Sequence, residues 1–210
     1  MQNKYVITLS RELGSGGNRV AKELSERFGI PYYDKDIINK TAENFGMSKE
    51  VLQKSDEKKT NSFLYSLATA QLSGMANPAF MLNDIILDDR SFMFTSETIK
   101  RLADEPCIIV GRCADYVLRD RKIIKVFVCA EMEDRVKNVC ADLDLSEKNA
   151  IKLIQKTDKR RASYYNSYTD REWGKANNYH ITVNTSMLGI EGSVDVLQKF
   201  IETYNKNKLK

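Results

Sequence analysis

A glycine-rich turn lies near the start of the chain, between an apolar run and a helical pattern. Residues 5–9 are apolar and β-branched, as in a buried strand, and apolar residues recur at helical spacing over residues 18–28. The turn between them contains Gly14, Ser15, Gly16 and Gly17. Backbone N–H groups and the positive end of a helix converge on an anion in such a turn, so residues 11–17 are predicted to bind phosphate. The alternative is a tight connection that binds nothing.

This loop departs from the common phosphate-loop pattern of Gly, four residues, Gly, Lys and then Ser or Thr. On that pattern Arg11 stands at the first glycine, Gly17 at the lysine and Asn18 at the magnesium-binding hydroxyl. The positive charge that the lysine would bring must come from elsewhere or be absent. Arg11 at the loop entry and Arg19 in the first helical turn are the candidates, because arginine can replace the charge, though not the geometry.

Another arginine follows a predicted central strand. Residues 107–110 and Ile123–Cys129 are continuous apolar runs, which are typical of parallel strands covered on both faces. Arg112 comes directly after the first run. Open α/β sheets bind ligands at the carboxyl edge of their strands, so Arg112 is expected to hold an anion there. The alternative is a solvated cation on a helix surface.

Two predicted helices in the second half of the chain carry further charged candidates. These are Arg135 in an amphipathic helix over Met132–Leu143, and Asp158, Arg160 and Arg161 in a longer helix that Ser146 can cap. Guanidinium groups hold phosphate oxygens in a fixed direction, which suits phosphoryl transfer. Arg135 can instead pair with its acidic neighbours on the helix surface. Asp158 is expected to orient an arginine or a metal-bound water, with an ordinary surface ion pair as the rival.

Strands alternate with helices along the chain, and this order predicts an α/β fold with a doubly wound sheet in one domain over residues 1–210. Asp34 is a good N-cap for a second helix. A last strand over residues 179–183 and a last helix over residues 193–204 close the pattern. The sequence pattern over residues 48–105 is almost entirely helical, and it predicts an insertion there. A homodimer through this insertion is a hypothesis, with Met75, Met81 and Met93 filling hydrophobic contacts.

Five blocks of sequence carry a resemblance. They are ITLSRELGSGGNRVAKELSERFGIPYYDKDII, IIVGRCADYVL, VFVCAEMEDRVK, TDKRRASYYNSY and YHITVNTSMLGIEG. In this order they resemble the cytidylate kinase-like family, a divergent branch of the bacterial cytidylate kinases. The resemblance implies the phosphate-loop kinase fold, which is a three-layer, five-stranded parallel sheet with a mobile lid at residues 146–173. It also implies ATP and Mg2+ as cofactors and a region that binds a monophosphate.

The resemblance extends to acceptor-site residues, with departures. Gly111 and Arg112 look like the Gly-Arg of a Gly-Arg-Asp motif whose arginine holds the acceptor's phosphate, but Cys113 replaces the aspartate. Tyr33 and Asp34 lie where the family carries the Leu-Asp-Thr-Gly entry to the monophosphate site, and different residues replace the Thr-Gly. The departures leave the identity of the acceptor open.

The resemblance also assigns roles to the lid. Asp158 and Arg161 resemble its Asp-x-x-Arg, in which the arginine closes on the transferring phosphoryl group. Arg160 and Arg135 are further lid candidates. An aromatic group follows, Tyr164, Tyr165, Tyr168 and Trp173, which can stack on a base or anchor the lid to the core.

Composition limits the remaining possibilities. The formal charge is only +4, from 33 basic and 29 acidic residues dispersed along 210 residues, which favours small anionic ligands over nucleic acid. No run of about 18 apolar residues is present, so we expect no membrane partner and a cytoplasmic location. The four cysteines have no metal-ligand spacing and are expected to be reduced, and no metal site is predicted.

Three functions are compatible with these residues. The leading one is an ATP-dependent kinase that phosphorylates a nucleoside monophosphate, CMP or a relative. A second is a kinase of another small phosphorylated or hydroxylated metabolite. The third is a nucleotide-binding protein that has lost catalysis with its lysine and hydroxyl.

Overall fold

Strands and helices alternate in the computed structural model, which describes residues 5–46, Leu52 and 78–208, with side chains omitted for 78–88 and 207–208. The strands are β1 (Val6–Arg11), β2 (Tyr32–Tyr33), β3 (Ile108–Val110), β4 (Ile123–Cys129) and β5 (Ile181–Asn184). The helices are α1 (Gly17–Phe28), α2 (Asp36–Phe45), α3 (Pro78–Leu102), α4 (Ala114–Val117), α5 (Met132–Leu143), α6 (Glu147–Tyr168) and α7 (Thr185–Lys208).

The described strands form a single parallel sheet in the order β2-β3-β1-β4-β5. The predicted five-stranded parallel sheet is therefore confirmed. β1 lies at its centre and pairs along its whole length with β4, from Val6 opposite Ile123 to Arg11 opposite Val128. Because the strands are parallel, the segments that follow β1, β3 and β4 all leave at one edge of the sheet.

Helices cover both faces of the sheet, which gives three layers. On one face α1 and α7 pack on inward residues of four strands, including Ile7 and Leu9 of β1. On the other face α2, α3 and α4 pack on residues that include Val6 and Ile109. Side chains alternate along a strand, so Arg11 continues the series of Ile7 and Leu9 and leaves β1 on the face of α1.

Two predictions near the first strand are wrong in position. The strand runs past Leu9, so Arg11 is its last residue and does not belong to the loop. The second helix begins at Asp36 with Lys35 as its N-cap, and Asp34 does not cap it. The Asp34 carboxylate instead faces the guanidinium of Arg11. A tertiary ion pair has replaced the expected local hydrogen bond.

The last helix also differs from its prediction. It begins at Thr185 and bends at Gly189, whose φ is +67°, whereas the sequence pattern starts it at Ser193. Leu143, the last residue of α5, is exposed.

Part of the predicted insertion at 48–105 belongs to α3. Met75 and the side chain of Met81 lie outside the described residues, whereas Met93 is described and 65% exposed. The homodimer stays a prediction. Within the described part of the chain, every helix is too short or too polar to cross a lipid bilayer.

The predicted aromatic group packs on the core. Tyr164 and Tyr165 of α6 are buried against Cys113, and Trp173 contacts Phe127 of β4 edge-on with ring centroids 5.4 Å apart. These contacts favour the anchoring interpretation over base stacking, because the rings already have packing partners.

A buried carboxyl group lies beside this aromatic cluster. Asp115 of α4 is 2% exposed, and its Oδ2 accepts a hydrogen bond of 2.7 Å from the Tyr165 hydroxyl. Its Oδ1 is buried without a hydrogen-bond partner among the described residues. Burial raises the pKa of Asp115, and the Tyr165 hydrogen bond only partly opposes this effect.

Replacing Asp115 by Asn should therefore change how stability depends on pH. The raised pKa means that the native state binds this proton more tightly than the unfolded chain, so the wild type loses stability as pH rises above about 3.9. The amide that replaces the carboxyl group cannot ionise, so the Tm of Asp115→Asn relative to wild type should rise by roughly 2–4 °C between pH ~4.5 and pH ~7.5.

Circular dichroism melts at several pH values check this expectation. Asp120→Asn serves as the control, because Asp120 is exposed nearby and its substitution should leave the pH profile unchanged. An Asp115→Asn effect of equal size at every pH would contradict the assignment.

Candidate active site

The glycine-rich loop connects the carboxyl end of β1 to the first turn of α1. Gly14 and Gly16 have φ values of +81° and +73°. A Cβ on Gly14 would lie 2.6 Å from the Arg135 carbonyl oxygen, and one on Gly16 would lie 2.4 Å from Cδ1 of Ile190. Both positions therefore require glycine. The first N–H groups of α1 have no partner within the helix, so the loop and the helix start together form an anion cradle.

Three elements hold the loop from outside. The Asp158 carboxylate of α6 accepts a 2.9 Å hydrogen bond from Leu13 N. Asn138 of α5 donates to the Gly14 carbonyl and Thr185 of α7 donates to the Ser15 carbonyl, both at 2.8 Å. The Ser15 hydroxyl donates to the Glu12 carbonyl at 2.8 Å, so only the backbone of Ser15 is available for phosphate. The loop is held in shape before any ligand binds.

Arg135 lies under this loop. It is 5% exposed, and its Nε donates to the Leu13 carbonyl at 2.8 Å. Its guanidinium also pairs with Glu12 at 3.4 Å and hydrogen-bonds the Asp158 carboxylate. The alternative of a surface ion pair with its helix neighbours is wrong, because Arg135 is buried and pairs with Glu12 and Asp158. These contacts support the loop, and a role of Arg135 in the lid stays a prediction.

Asp158 and Arg161 both face the loop. Of the partners expected for Asp158, an arginine is present, because its carboxylate accepts a hydrogen bond from the Arg135 guanidinium. Arg161 donates to the Arg11 carbonyl at 3.0 Å and lies 3.8 Å from the Asp158 carboxylate. Arg160 is exposed on the same helix and does not line the cavities at the loop. Of these two arginines, Arg161 lines the cavities, and a role of Arg160 in the site stays a prediction.

Arg112 lies deep in a strained turn after β3. Gly111, Arg112 and Cys113 have φ values of +75°, +53° and +55°, so two residues other than glycine are left-handed. Arg112 is 4% exposed, and its Nη1 donates to the Asp34 carbonyl at 2.6 Å and lies 3.6 Å from the Asp34 carboxylate. Nη2 of Arg11 lies 3.3 Å from the same carboxylate oxygen. One carboxylate thus lies between two buried arginines.

Two cavities meet at Arg11 and Arg161. The first, of about 160 Å³, lies over the glycine-rich loop. The second, of about 20 Å³, is narrow and is bounded by Arg112, Tyr164 and Trp173. Arg11 and Arg161 line both cavities, so a group that moves from one to the other would pass these two arginines.

Two predicted binding residues lie at the margins of this arrangement. Arg19 is exposed and pairs with Asp142 at 2.7 Å on the rim of the loop cavity. Tyr33 packs against the core layer of Ile109, and burial raises the pKa of its hydroxyl. Tyr33 lines neither cavity, whereas its neighbour Asp34 lies between the arginines.

Sequence reasoning missed several residues that shape the site. Glu12 accepts a 3.2 Å hydrogen bond from Ala130 N, and burial raises the pKa of its carboxyl group while Arg135 opposes the rise. Asn138 follows Arg135 by three residues, so a shared helix face was the signal that could have found it. For Thr185, which is 170 residues from its partner Ser15, the sequence offers no such signal.

The residues at the expected magnesium position do not fit the ion. Asn18 occupies the position of the usual magnesium-binding hydroxyl, but its Oδ1 accepts a 3.1 Å hydrogen bond from Arg11. Its Nδ2 donates to Asp34 at 2.9 Å, and the other Asp34 oxygen faces Arg11. The Asn18 oxygen and one Asp34 oxygen thus already accept from a guanidinium, and the other Asp34 oxygen accepts from the Asn18 amide. Elsewhere in the described residues, no cluster of three or more His, Cys, Asp or Glu side chains could hold a metal.

Most of the chain matches a known family. The sequence model of the cytidylate kinase-like family matches residues 6–187. A cytidylate kinase of Desulfurococcus amylolyticus is 23% identical over 205 residues, which cover 96% of this chain and 95% of the relative. The match therefore includes the loop, Arg112 and the helix that carries Asp158.

Solved structures share the fold. A crystal structure of an uncharacterised protein from Eubacterium ventriosum has a TM-score of 0.71 and 25% identity, covering 95% of this chain and 99% of the other. A shikimate kinase from Bacteroides thetaiotaomicron has a TM-score of 0.55 and 14% identity, with 94% and 98% covered. The second likeness concerns the fold alone, which is the predicted phosphate-loop kinase fold.

Substituting Gly14 should cost more than substituting another left-handed glycine. Gly29 has a φ of +61° and an added Cβ would meet nothing within 4 Å, so Gly29→Ala carries backbone strain alone. In Gly14→Ala the methyl group also meets the Arg135 carbonyl, so it should be less stable than Gly29→Ala by about 1–3 kcal/mol. Urea unfolding of both variants measures the difference, and equal costs would contradict the close approach.

Replacing Arg135, which lies under the loop, should lower the stability of the protein. Arg135→Met leaves the Glu12 carboxylate without its cation and Asp158 with only the more distant Arg161, which should lower the free energy of unfolding by about 3 kcal/mol. Arg160→Met is the matched control, because Arg160 is exposed and its loss should change stability by less than about 0.5 kcal/mol. Chemical denaturation compares the two, and similar values would mean that Arg135 does not support the loop.

Proposed function

The chain belongs to the cytidylate kinase-like family, and on this premise we propose that it transfers a phosphoryl group from ATP to a nucleoside monophosphate, CMP or a relative. The observation that carries the proposal is the meeting of two arginine-lined cavities at the carboxyl edge of the sheet. Phosphoryl transfer needs two substrates in line, with water excluded and positive charge around the transferred group.

The donor phosphates belong over the glycine-rich loop. Its cavity opens on Gly14, Gly16 and Gly17, where backbone N–H groups and the start of α1 offer donors to oxygen anions. The support from Asp158 and Arg135 holds this geometry ready. ATP fits this cradle through its phosphates, and any Mg2+ enters with the donor, bound to the phosphates themselves.

The acceptor belongs in the second cavity. Arg112 holds the acceptor's phosphate, because it is a buried cation in the position at which the family's Gly-Arg motif places one. Arg11 and Arg161 lie between this cavity and the donor cradle, where charge develops on the transferred group. The narrow volume of the second cavity means that α6 must move for an acceptor to enter, which agrees with a lid at residues 146–173.

Other features of the proposal come from the sequence alone. We keep the helical insertion at residues 48–105, the homodimer through it and the cytoplasmic location as predictions. Light scattering at working concentration measures the dimer directly, and a monomeric mass would remove it.

A kinase of a small hydroxylated metabolite is the second candidate, and Asp34 favours it. A monophosphate acceptor attacks with an anionic oxygen and needs no base, whereas a hydroxyl acceptor must lose a proton. The Asp34 carboxylate lies between Arg11 and Arg112, two arginines that line the acceptor cavity, and can accept such a proton.

The first test is ADP release from ATP and Mg2+ with a panel of nucleoside monophosphates and small hydroxylated metabolites. Turnover with CMP or a relative is expected, and Arg112→Ala should lower kcat/KM by about 10²-fold or more, because it removes charge from the acceptor's phosphate. Arg119→Ala is the control, since Arg119 is exposed and stacks on Tyr116 outside the acceptor cavity.

The alternatives predict other results. Turnover with a hydroxyl acceptor alone, lost in Asp34→Asn, would replace the nucleoside monophosphate by the second candidate. Nucleotide binding without turnover on any acceptor would mean a binding protein. Melting temperatures of Arg112→Ala and Arg112→Lys separate loss of activity from loss of fold.

A further inference from the structure

The loop departs from the common phosphate-loop pattern at Arg11 and at Gly17, and these two departures depend on each other sterically. A Cβ on Gly17 would lie 2.5 Å from Cβ of Arg11 and 2.9 Å from its Cγ. The stem of Arg11 thus fills the space in which a side chain at position 17 would begin. A lysine at position 17 and this placement of Arg11 exclude each other. Compared with the common phosphate-loop pattern, the cation therefore lies at the end of β1 and not at the start of α1.

Hydrogen bonds also fix the guanidinium group of Arg11. Its Nε donates to Asn18 Oδ1 at 3.1 Å and its Nη2 to Asp34 Oδ1 at 3.3 Å, while Asn18 Nδ2 donates to Asp34 Oδ2 at 2.9 Å. The three side chains form a closed ring. The ring also fixes the Asn18 amide, because arginine has only donors and a carboxylate only acceptors.

This ring places a permanent cation among oxygens that resemble a divalent-metal site. An amide oxygen and a carboxylate are ligands that suit Mg2+, yet both already face the guanidinium. Arginine stays charged at any pH of interest and, unlike an ion, does not dissociate. Arg19, the other candidate for the missing charge, is exposed and paired with Asp142. Arg11 is thus the better placed of the two.

We propose that Arg11 is a built-in cation that replaces both the loop lysine and a protein-held Mg2+, so that the protein binds nucleotide phosphates with little dependence on divalent cations. The inference rests on the proposed function in that the ligand is a nucleotide. It concerns binding, so it can be tested without turnover.

Calorimetric titration of the wild type with ADP and ATP, in Mg2+ and in EDTA, gives the first readout. The Kd for each nucleotide should change by less than about 3-fold between the two conditions. A fall in affinity of more than about 10-fold in EDTA would overturn the inference while leaving the proposed donor site intact. Absence of nucleotide binding in both conditions would overturn both.

Variants that remove Arg11, with or without a lysine restored at position 17, give the second readout. Arg11→Gly with Gly17→Lys and Asn18→Thr restores the common loop pattern and frees the Asp34 carboxylate, so nucleotide affinity should become Mg2+-dependent by about 10-fold or more. Arg11→Gly alone should bind weakly in EDTA and recover partly in Mg2+, because the oxygens of Asn18 and Asp34 become available. Mg2+-independent binding in both variants would overturn the inference.

Two controls keep the comparison clear. Lys22→Ala removes an exposed cation of the same helix that pairs only with Glu26 in the salt bridges described, and it should bind like the wild type in both conditions. Arg11→Lys keeps the charge without the two-sided contact to Asn18 and Asp34. It should stay less Mg2+-dependent than Arg11→Gly, and the reverse order would overturn the role given to the charge.

Discussion

The pairing of Arg135 with Asp158 beneath the glycine-rich loop is the interaction on which the site depends. Glycines let the loop take left-handed turns, but they bring no side chains to fix them. The pair supplies what they lack, since Asp158 binds Leu13 N and Arg135 binds the Leu13 carbonyl. α5 carries Arg135 and α6 carries Asp158, so the packing of these two helices fixes the conformation of the loop.

The Asp34 carboxylate imposes a second constraint, because it lies between Arg11 and Arg112. Two buried guanidinium groups next to each other would repel, and the shared carboxylate makes their approach possible. Under the proposed function, an incoming phosphate would have to compete with the Asp34 carboxylate for both arginines. The affinity of the site for a phosphate would then depend on how much better these arginines bind it than they bind Asp34.

Local sequence patterns predicted the strands and turns, whereas the contacts of the site residues depend on partners far away in the sequence. The apolar run Ile123–Cys129 is the strand it was expected to be, and the glycines lie in the turn they require. The role of Arg135 could not be read from its acidic neighbours, because its decisive partner Leu13 is 122 residues away. Asp34 looked like a helix cap for the same reason, since local spacing carries no sign of Arg11.

The hydrogen bond from Thr185 to the Ser15 carbonyl joins residues 170 positions apart. Domains fold as units, and contacts of such sequence separation form only once both segments are present. During synthesis the glycine-rich loop therefore gains its hydrogen bond from Thr185 only after β5 and the start of α7 have been made. A nascent or truncated chain that stops before Thr185 therefore lacks one of the hydrogen bonds that hold the loop in shape.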